Sequence, residues 1–218
     1  MFHVPTLHEL GLHALFIIPT LLSLSVHEWA HAMSAWQLGD DTASMQGRLT
    51  LDPMAHVDPI GTILLPLLGI PFGWAKPVPV NPLRFDRKYS METGMVITAM
   101  AGPASNLVLA VACAVVFGLM LRFAPAMAMQ DGVRALFQFG IQINVALAIF
   151  NLLPIPPLDG SRLLERFIPY AHRHTWEAAK QYSPFLLFMV VSSGGFVLAG
   201  PITAGTEAMY ELIRRIVY

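Results

Sequence analysis

Residues 21–38 read LLSLSVHEWAHAMSAWQL, and the way this stretch folds decides the rest. Ser23, His27, His31 and Ser34 fall at helical spacing on one face of an apolar run that extends from about Leu10 to Leu38. A polar stripe on so apolar a helix belongs on the inside of a membrane bundle, where partners for it exist. Within the stripe, His27-Glu28-Trp29-Ala30-His31 is H-E-x-x-H. Two imidazoles four residues apart stack on one face and can hold one Zn²⁺, while Glu28 reaches the water beside it. The bland alternative is a pair of buried histidines bonded to neighbouring carbonyls. Keeping two His and a Glu in an apolar helix for that alone is expensive.

The composition agrees with a bilayer as solvent. The chain has 218 residues, enough for one domain, taken as a single membrane-embedded core over 1–218. Hydrophobic residues make up 55% and charged residues 12%, about half the usual charged share. Mean hydropathy is +0.58. A net charge of −1 gives no basic field, so nucleic acid is not an expected partner. Cys113 stands alone in an apolar run, which excludes a disulfide framework within one chain. The first basic residue is Arg48, so the basic start of a cleaved signal peptide is missing and the first apolar segment is expected to persist.

Apolar runs predict an α-helical integral membrane protein, a bundle of about four transmembrane helices at 10–38, 94–121, 135–153 and 184–199. Residues 39–92 have another texture. Ala43, Met45, Leu49 and Leu51 alternate with polar neighbours, which predicts a small membrane-associated β element over 42–51. Pro77-Val78-Pro79-Val80 reads as a second extended piece, confined by its prolines to a sheet edge. Ile60–Trp74 is short and holds Pro66 and Pro71, so it is expected to re-enter or lie at the interface. The tail, with Met209, Leu212, Ile213 and Ile216 on one face, suggests an interfacial helix.

With these spans, one side receives Arg48, Lys76, Arg84, Arg87, Lys88, Arg162, Arg166, Arg173 and Lys180, and the other receives Arg122, Arg134, Arg214 and Arg215. The positive-inside rule then puts loops 39–92 and 154–183 in the cytoplasm and the N-terminus outside, in a multi-pass protein of the cell membrane. The histidines would lie roughly 10–16 Å deep from the cytoplasmic end of the first helix.

A catalytic zinc needs a third protein ligand and one open position. Asp159 stands out in Asn151-Leu-Leu-Pro154-Ile-Pro156-Pro157-Leu-Asp159-Gly160, where prolines close an apolar helix and Gly160 permits a turn that aims the carboxylate back at the bundle. Its competing role is the N-cap of a helix over Ser161–Ile168. Topology favours the ligand, because Asp159 lies just past the cytoplasmic end of the third span, on the side the histidines face.

H-E-x-x-H in a membrane helix, followed by N-x-x-P-x-P-x-x-D-G, resembles the site-2 protease family of intramembrane zinc metalloproteases. Gly102-Pro103-Ala104-Ser105-Asn106 resembles the family's small-residue segment between those motifs, and Leu51–Gly61 with Lys76–Asn81 its membrane-associated loop. The resemblance covers about residues 20–165, without a PDZ or CBS domain, so regulation would fall to a separate partner. It implies one Zn²⁺ per chain on His27, His31 and Asp159, with Glu28 as general base. It further implies that Asn151 and Asn106 hydrogen-bond the substrate, a transmembrane protein or peptide. An unwound substrate could pair with the expected strand at 42–51. His56 reads as a structural residue, and His172 and His174 as solvated ones.

Two other functions fit part of this pattern. A membrane metalloprotease with a cytoplasmic site would take Glu92, Glu165 or Glu177 as third ligand. A metal or proton transporter would use His27, His31 and Asp159 as a relay, although no inverted repeat accompanies them.

Overall fold

The computed structural model of the chain describes residues 7–64, 68, 74–192 and 196–218. The first helix, α1, runs from Leu7 to Gln37. It ends in a Schellman motif: Gly39 takes φ 101°, its N–H donates to Trp36 O (3.0 Å), and Asp40 N–H donates to Ala35 O (2.9 Å). The next long helix, α2 (Met91–Phe123), starts at Ser90, whose Oγ accepts from Thr93 N–H. It is followed by α3 (Asp131–Asn151), α4 (Asp159–Phe167), α5 (Arg173–Lys180), α6 (Ser183–Ser192) and α7 (Phe196–Val217).

Helix α2 is the hub, packing against α1, α3, α4 and α7. Its buried positions are mostly small, with Gly94, Ala99, Gly102, Ala110, Ala114 and Gly118 among them. Small residues let helix backbones approach closely where the hydrophobic effect between helices is weak. A larger core lies where α2, α3 and α7 meet, built on Ala114, Phe117, Ile141 and Ile213. There Phe117 and Phe137 stack with ring centroids 5.4 Å apart.

Among the described residues, α2 and α3 are each long and apolar enough to cross a membrane. The pair Ser183–Ser192 and Val197–Val217 makes a third if it is one bent span. The expected fourth span at 184–199 is thus not one straight helix, and its centre, with Gly194 and Gly195, lies outside the described residues. Most of the segment expected to re-enter, 60–74, also lies outside them. Its start, Pro59–Leu64, is a wide helical turn.

Two expectations are corrected. Residues 42–51 form no strand: Thr42–Met45 is a short helical turn, and among the described residues no strand occurs. The cause is local. Asp40, almost fully buried, accepts from Thr42 N–H (3.0 Å) and Thr42 Oγ1 (2.5 Å), and Arg48 N–H closes the turn on Ala43 O (2.8 Å). These bonds satisfy the backbone before a ladder could, and override the period-2 pattern. The apolar stripe of the tail faces the bundle rather than an interface. Ile213 is buried in the α2–α3–α7 core, Ile216 packs at Gly118, and Arg122 Nη1 donates to Ile216 O (2.8 Å).

Candidate metal centre

Helix geometry brings His27 and His31 together on the inner face of α1, and α4 delivers Asp159 to them. The helix α4 begins at Asp159 with Leu158 as its cap, so Asp159 is not the N-cap of a later helix. Gly160 matters for space: a Cβ there would stand 2.6 Å from Leu153 O, so only glycine lets α4 tuck under the end of α3.

The donor atoms form a compact triangle. His27 Nε2 and His31 Nε2 are 3.0 Å apart, and Asp159 Oδ2 lies 3.3 and 3.4 Å from them. A tetrahedral ion with bonds of about 2.1 Å has ligand–ligand edges of about 3.4 Å, so the triangle has the size of one face of a zinc tetrahedron.

Protonation leads to the same place. His31 Nδ1 lies 2.7 Å from Thr98 O, an atom that can only accept. His27 Nδ1 lies 2.6 Å from Asn106 Oδ1, and the Asn106 amide is oriented by Nδ2 donating to Ser23 O (3.3 Å) and Asn144 Oδ1 (2.9 Å). Both rings therefore carry their proton on Nδ1 and turn a bare Nε2 lone pair inward. Two lone pairs and a carboxylate oxygen face one another, and Asp159 Oδ2 is buried without a hydrogen-bond partner. Such a set repels itself unless a cation sits among it. The donor set fits zinc.

The α2 backbone closes one side. A Cβ at Gly102 would lie 2.6 Å from His27 Cε1 and nearer still to the His31 ring. Side-chain exposure rises from 6% at His27 through 12% at His31 to 18% at Asp159, so access lies on the Asp159 side.

Glu28 does not point into the triangle's hydrogen-bond network. Its Oε2 accepts from Val78 N–H (2.9 Å) in the segment 76–81, which is neither helix nor strand. That segment is pinned at both ends. Lys76 N–H donates to His56 O (2.9 Å), Arg48 Nη2 donates to Lys76 O (2.5 Å) and Pro77 O (3.3 Å), and Asn81 N–H donates to Asp40 Oδ2 (2.6 Å). Two buried charged residues, Arg48 and Asp40, thus fix the strip of chain that meets Glu28.

Other candidates fall elsewhere. Asn106 is fully buried with its oxygen on His27 and its amide hydrogens on Ser23 and Asn144, so it bears on the histidine directly. Asn151 ends α3, half-buried, with Nδ2 donating to Leu147 O (3.0 Å). His56 is buried and bonds Thr50 O through Nε2 (2.8 Å). His172 and His174 are exposed. The side chains of His3, His8 and His13 lie outside what is described.

The alternative third ligands are occupied away from the histidines. Glu92 pairs with Arg173, and Glu177 with Lys180 (2.8 Å). Glu165 is bound by Lys180 (2.6 Å), Trp176 Nε1 (3.1 Å) and Arg162 (3.1 Å). Burial pushes the Glu165 carboxyl up, and those three donors more than reverse it, so it titrates below the usual glutamate range. The sequence carries no sign of Asn144 or of the Val78 contact, and marks Gly102 only as part of the small-residue segment. Asn144 and Gly102 lie within apolar helices, and only the packing shows what they touch.

An H-E-x-x-H helix completed by a carboxylate from a separate helix defines a metallopeptidase centre. The chain belongs to peptidase family M50, the site-2 protease family, whose model matches residues 118–194. It is 40% identical over 213 residues to the Bacillus subtilis protein named "Putative zinc metalloprotease YwhC", covering 96% of this chain and 95% of that protein. It is 34% identical over 189 residues to the Mycolicibacterium smegmatis protein named "Putative zinc metalloprotease Rip2", covering 85% of this chain and 69% of the relative. The Rip2 protein of Mycobacterium tuberculosis is 30% identical over 185 residues, covering 83% of this chain and 67% of the relative. No solved structure matches the chain.

Proposed function

We propose that this chain is an intramembrane zinc metalloprotease that hydrolyses peptide bonds of transmembrane proteins or peptides within or beside the bilayer. One Zn²⁺ per chain is held by His27, His31 and Asp159, and Glu28 is the general base. The observation that carries this reading is the triangle of two bare imidazole nitrogens and one carboxylate oxygen, 3.0–3.4 Å on edge, beside Glu28.

Bound zinc supplies Lewis acidity, which brings the pKa of water near neutrality and polarises a carbonyl. The chain's own groups do the rest. Val78 N–H occupies Glu28 Oε2 and leaves Oε1 to take the proton of the attacking water and return it to the leaving amine. Asn151, at the end of α3 close in sequence to Asp159, is the candidate donor to the oxyanion. A helical substrate hides its carbonyls and must unwind. Because 42–51 is a helical turn, it offers no strand on which the unwound chain could pair.

The chain is read as a multi-pass protein of the cell membrane, with α1 (31 residues, about 46 Å) crossing together with α2 and α3. The N-terminus lies outside and the active site faces the cytoplasm. A reading as a metal transporter lacks the inverted repeat that would accompany it.

The experiment compares wild type and Glu28→Gln in proteoliposomes with a membrane-spanning peptide. Glu28→Gln should keep zinc and lose cleavage, since an amide cannot accept the proton. A zinc-loaded, fully active Glu28→Gln would end the proposal.

A further inference from the structure

We infer that Asn144 of α3 is a positioning residue that acts through Asn106 to keep His27 in its metal-binding tautomer. The inference rests on the proposal that His27 is a zinc ligand. Four hydrogen-bonded groups form one chain with a single direction. Asn144 Nδ2 donates to Gly140 O (2.8 Å), Asn106 Nδ2 donates to Asn144 Oδ1 (2.9 Å), and His27 Nδ1 donates to Asn106 Oδ1 (2.6 Å). Asn106 is fully buried and Asn144 is 3% exposed, so water does not substitute for any member.

The direction is what matters. A carboxamide is nearly symmetric in shape, and turning it over exchanges an acceptor for a donor. If Asn106 turned over, its NH₂ would face His27 Nδ1, which would then have to accept. The ring proton would move to Nε2, the atom 3.3 Å from Asp159 Oδ2, and the lone pair for the metal would be lost. Two acceptors hold Asn106 the right way, Ser23 O and Asn144 Oδ1. The first bond is long at 3.3 Å, so the second carries most of the orientation. Asn144 is in turn oriented by Gly140 O, a backbone carbonyl with no donor alternative. The polarity set at one peptide group of α3 is therefore passed across α2 to the ligand on α1.

Plain helix–helix adhesion is the competing role, and a carboxylate separates the two. Aspartate at 106 presents an acceptor whichever way it turns, so it needs no orienting partner. Asn144 can donate Nδ2 to it only by giving up its own bond to Gly140 O.

The test measures zinc affinity by chelator competition, and the visible spectrum after cobalt(II) replacement, on the full-length protein in detergent. Asn144→Leu should weaken zinc about tenfold, the low end for removing an outer partner of a metal-bound histidine, and alter the cobalt spectrum. Asn106→Leu should weaken it at least as much. Asn106→Asp needs no orienting partner, so in that background Asn144→Leu should change zinc affinity by less than about twofold. If Asn144→Leu does not give monodisperse protein, Asn144→Val serves the same cycle. Wild-type affinity in Asn144→Leu, or an equal loss in both backgrounds, overturns the inference and leaves adhesion as the role. His27→Ala is the control for the underlying reading. If zinc is lost there while Asn144→Leu is normal, only the inference fails. If zinc is retained in His27→Ala, both fail.

Discussion

Gly102→Ala places a methyl group against the metal-binding edge of two imidazoles, and its consequence can be worked out. The new Cβ would stand 2.6 Å from His27 Cε1, whereas ordinary contact begins at 3.4 Å. The ring or the α2 backbone must therefore move by about 0.8 Å, several times the roughly 0.2 Å tolerance of zinc–ligand distances. Overpacking of this kind costs about 1–3 kcal/mol. Felt only with metal bound, that is roughly 5- to 150-fold in zinc affinity. The backbone effect has the opposite sign, because alanine inside a helix is favoured over glycine by about 0.5–1 kcal/mol. Apoprotein stability should hold or rise while zinc binding weakens. With zinc at 100 times the wild-type Kd, wild type gains about 2.7 kcal/mol of stability and a variant binding 100-fold more weakly gains about 0.4. The assay is thermal unfolding with and without zinc, paired with chelator competition. A Gly102→Ala protein with the full zinc-induced shift in Tm would refute the close approach of α2 to the histidines.

Three further outcomes follow from the same contacts. Arg48→Ala removes both side-chain bonds to Lys76 O and Pro77 O and should lower kcat at least tenfold with zinc content unchanged, because segment 76–81 would no longer hold Glu28; loss of zinc would place Arg48 in the metal site instead. Asp40→Asn presents a donor to Asn81 N–H or to Thr42, and should act in the same direction as Arg48→Ala in a cleavage assay with no loss of zinc; full activity would show that the segment needs no clamp at that end. Glu165 titrates below its ordinary range, so its ion pairs stabilise the α4–α5 contact above the usual glutamate pKa and are lost as pH falls through the lowered value. The fluorescence of Trp176, taken as the difference between wild type and Trp176→Phe, should change on that acid limb and be insensitive to pH there in Glu165→Gln.

Much of the site is legible in the chain because its chemistry is written in local spacing. His27 and His31 are four residues apart, and a helix needs nothing more to bring them together. Asp159 is distant in sequence, yet the Pro-rich stretch before it marks where α3 stops, and the proximity follows. The geometry of residues 42–51 was not legible, because alternation is a weak signal. A single buried Asp40 with three donors outweighs it. The stripe on α7 shows that the helix has an apolar face, but not whether lipid or α2 covers it. Asn106 is singled out by the family resemblance alone, which does not tell what it touches. Only the packing of α1 on α2 reveals that His27 takes its oxygen. Asn144 resembles any bundle asparagine until the direction of its hydrogen bonds is seen.

In the proposed site Asp159, delivered by α4, completes a zinc centre begun on α1. The most direct test is the zinc content of purified Asp159→Ala beside wild type. About one zinc per chain is expected in wild type, and loss of most of it in the variant. A zinc-replete Asp159→Ala would contradict it.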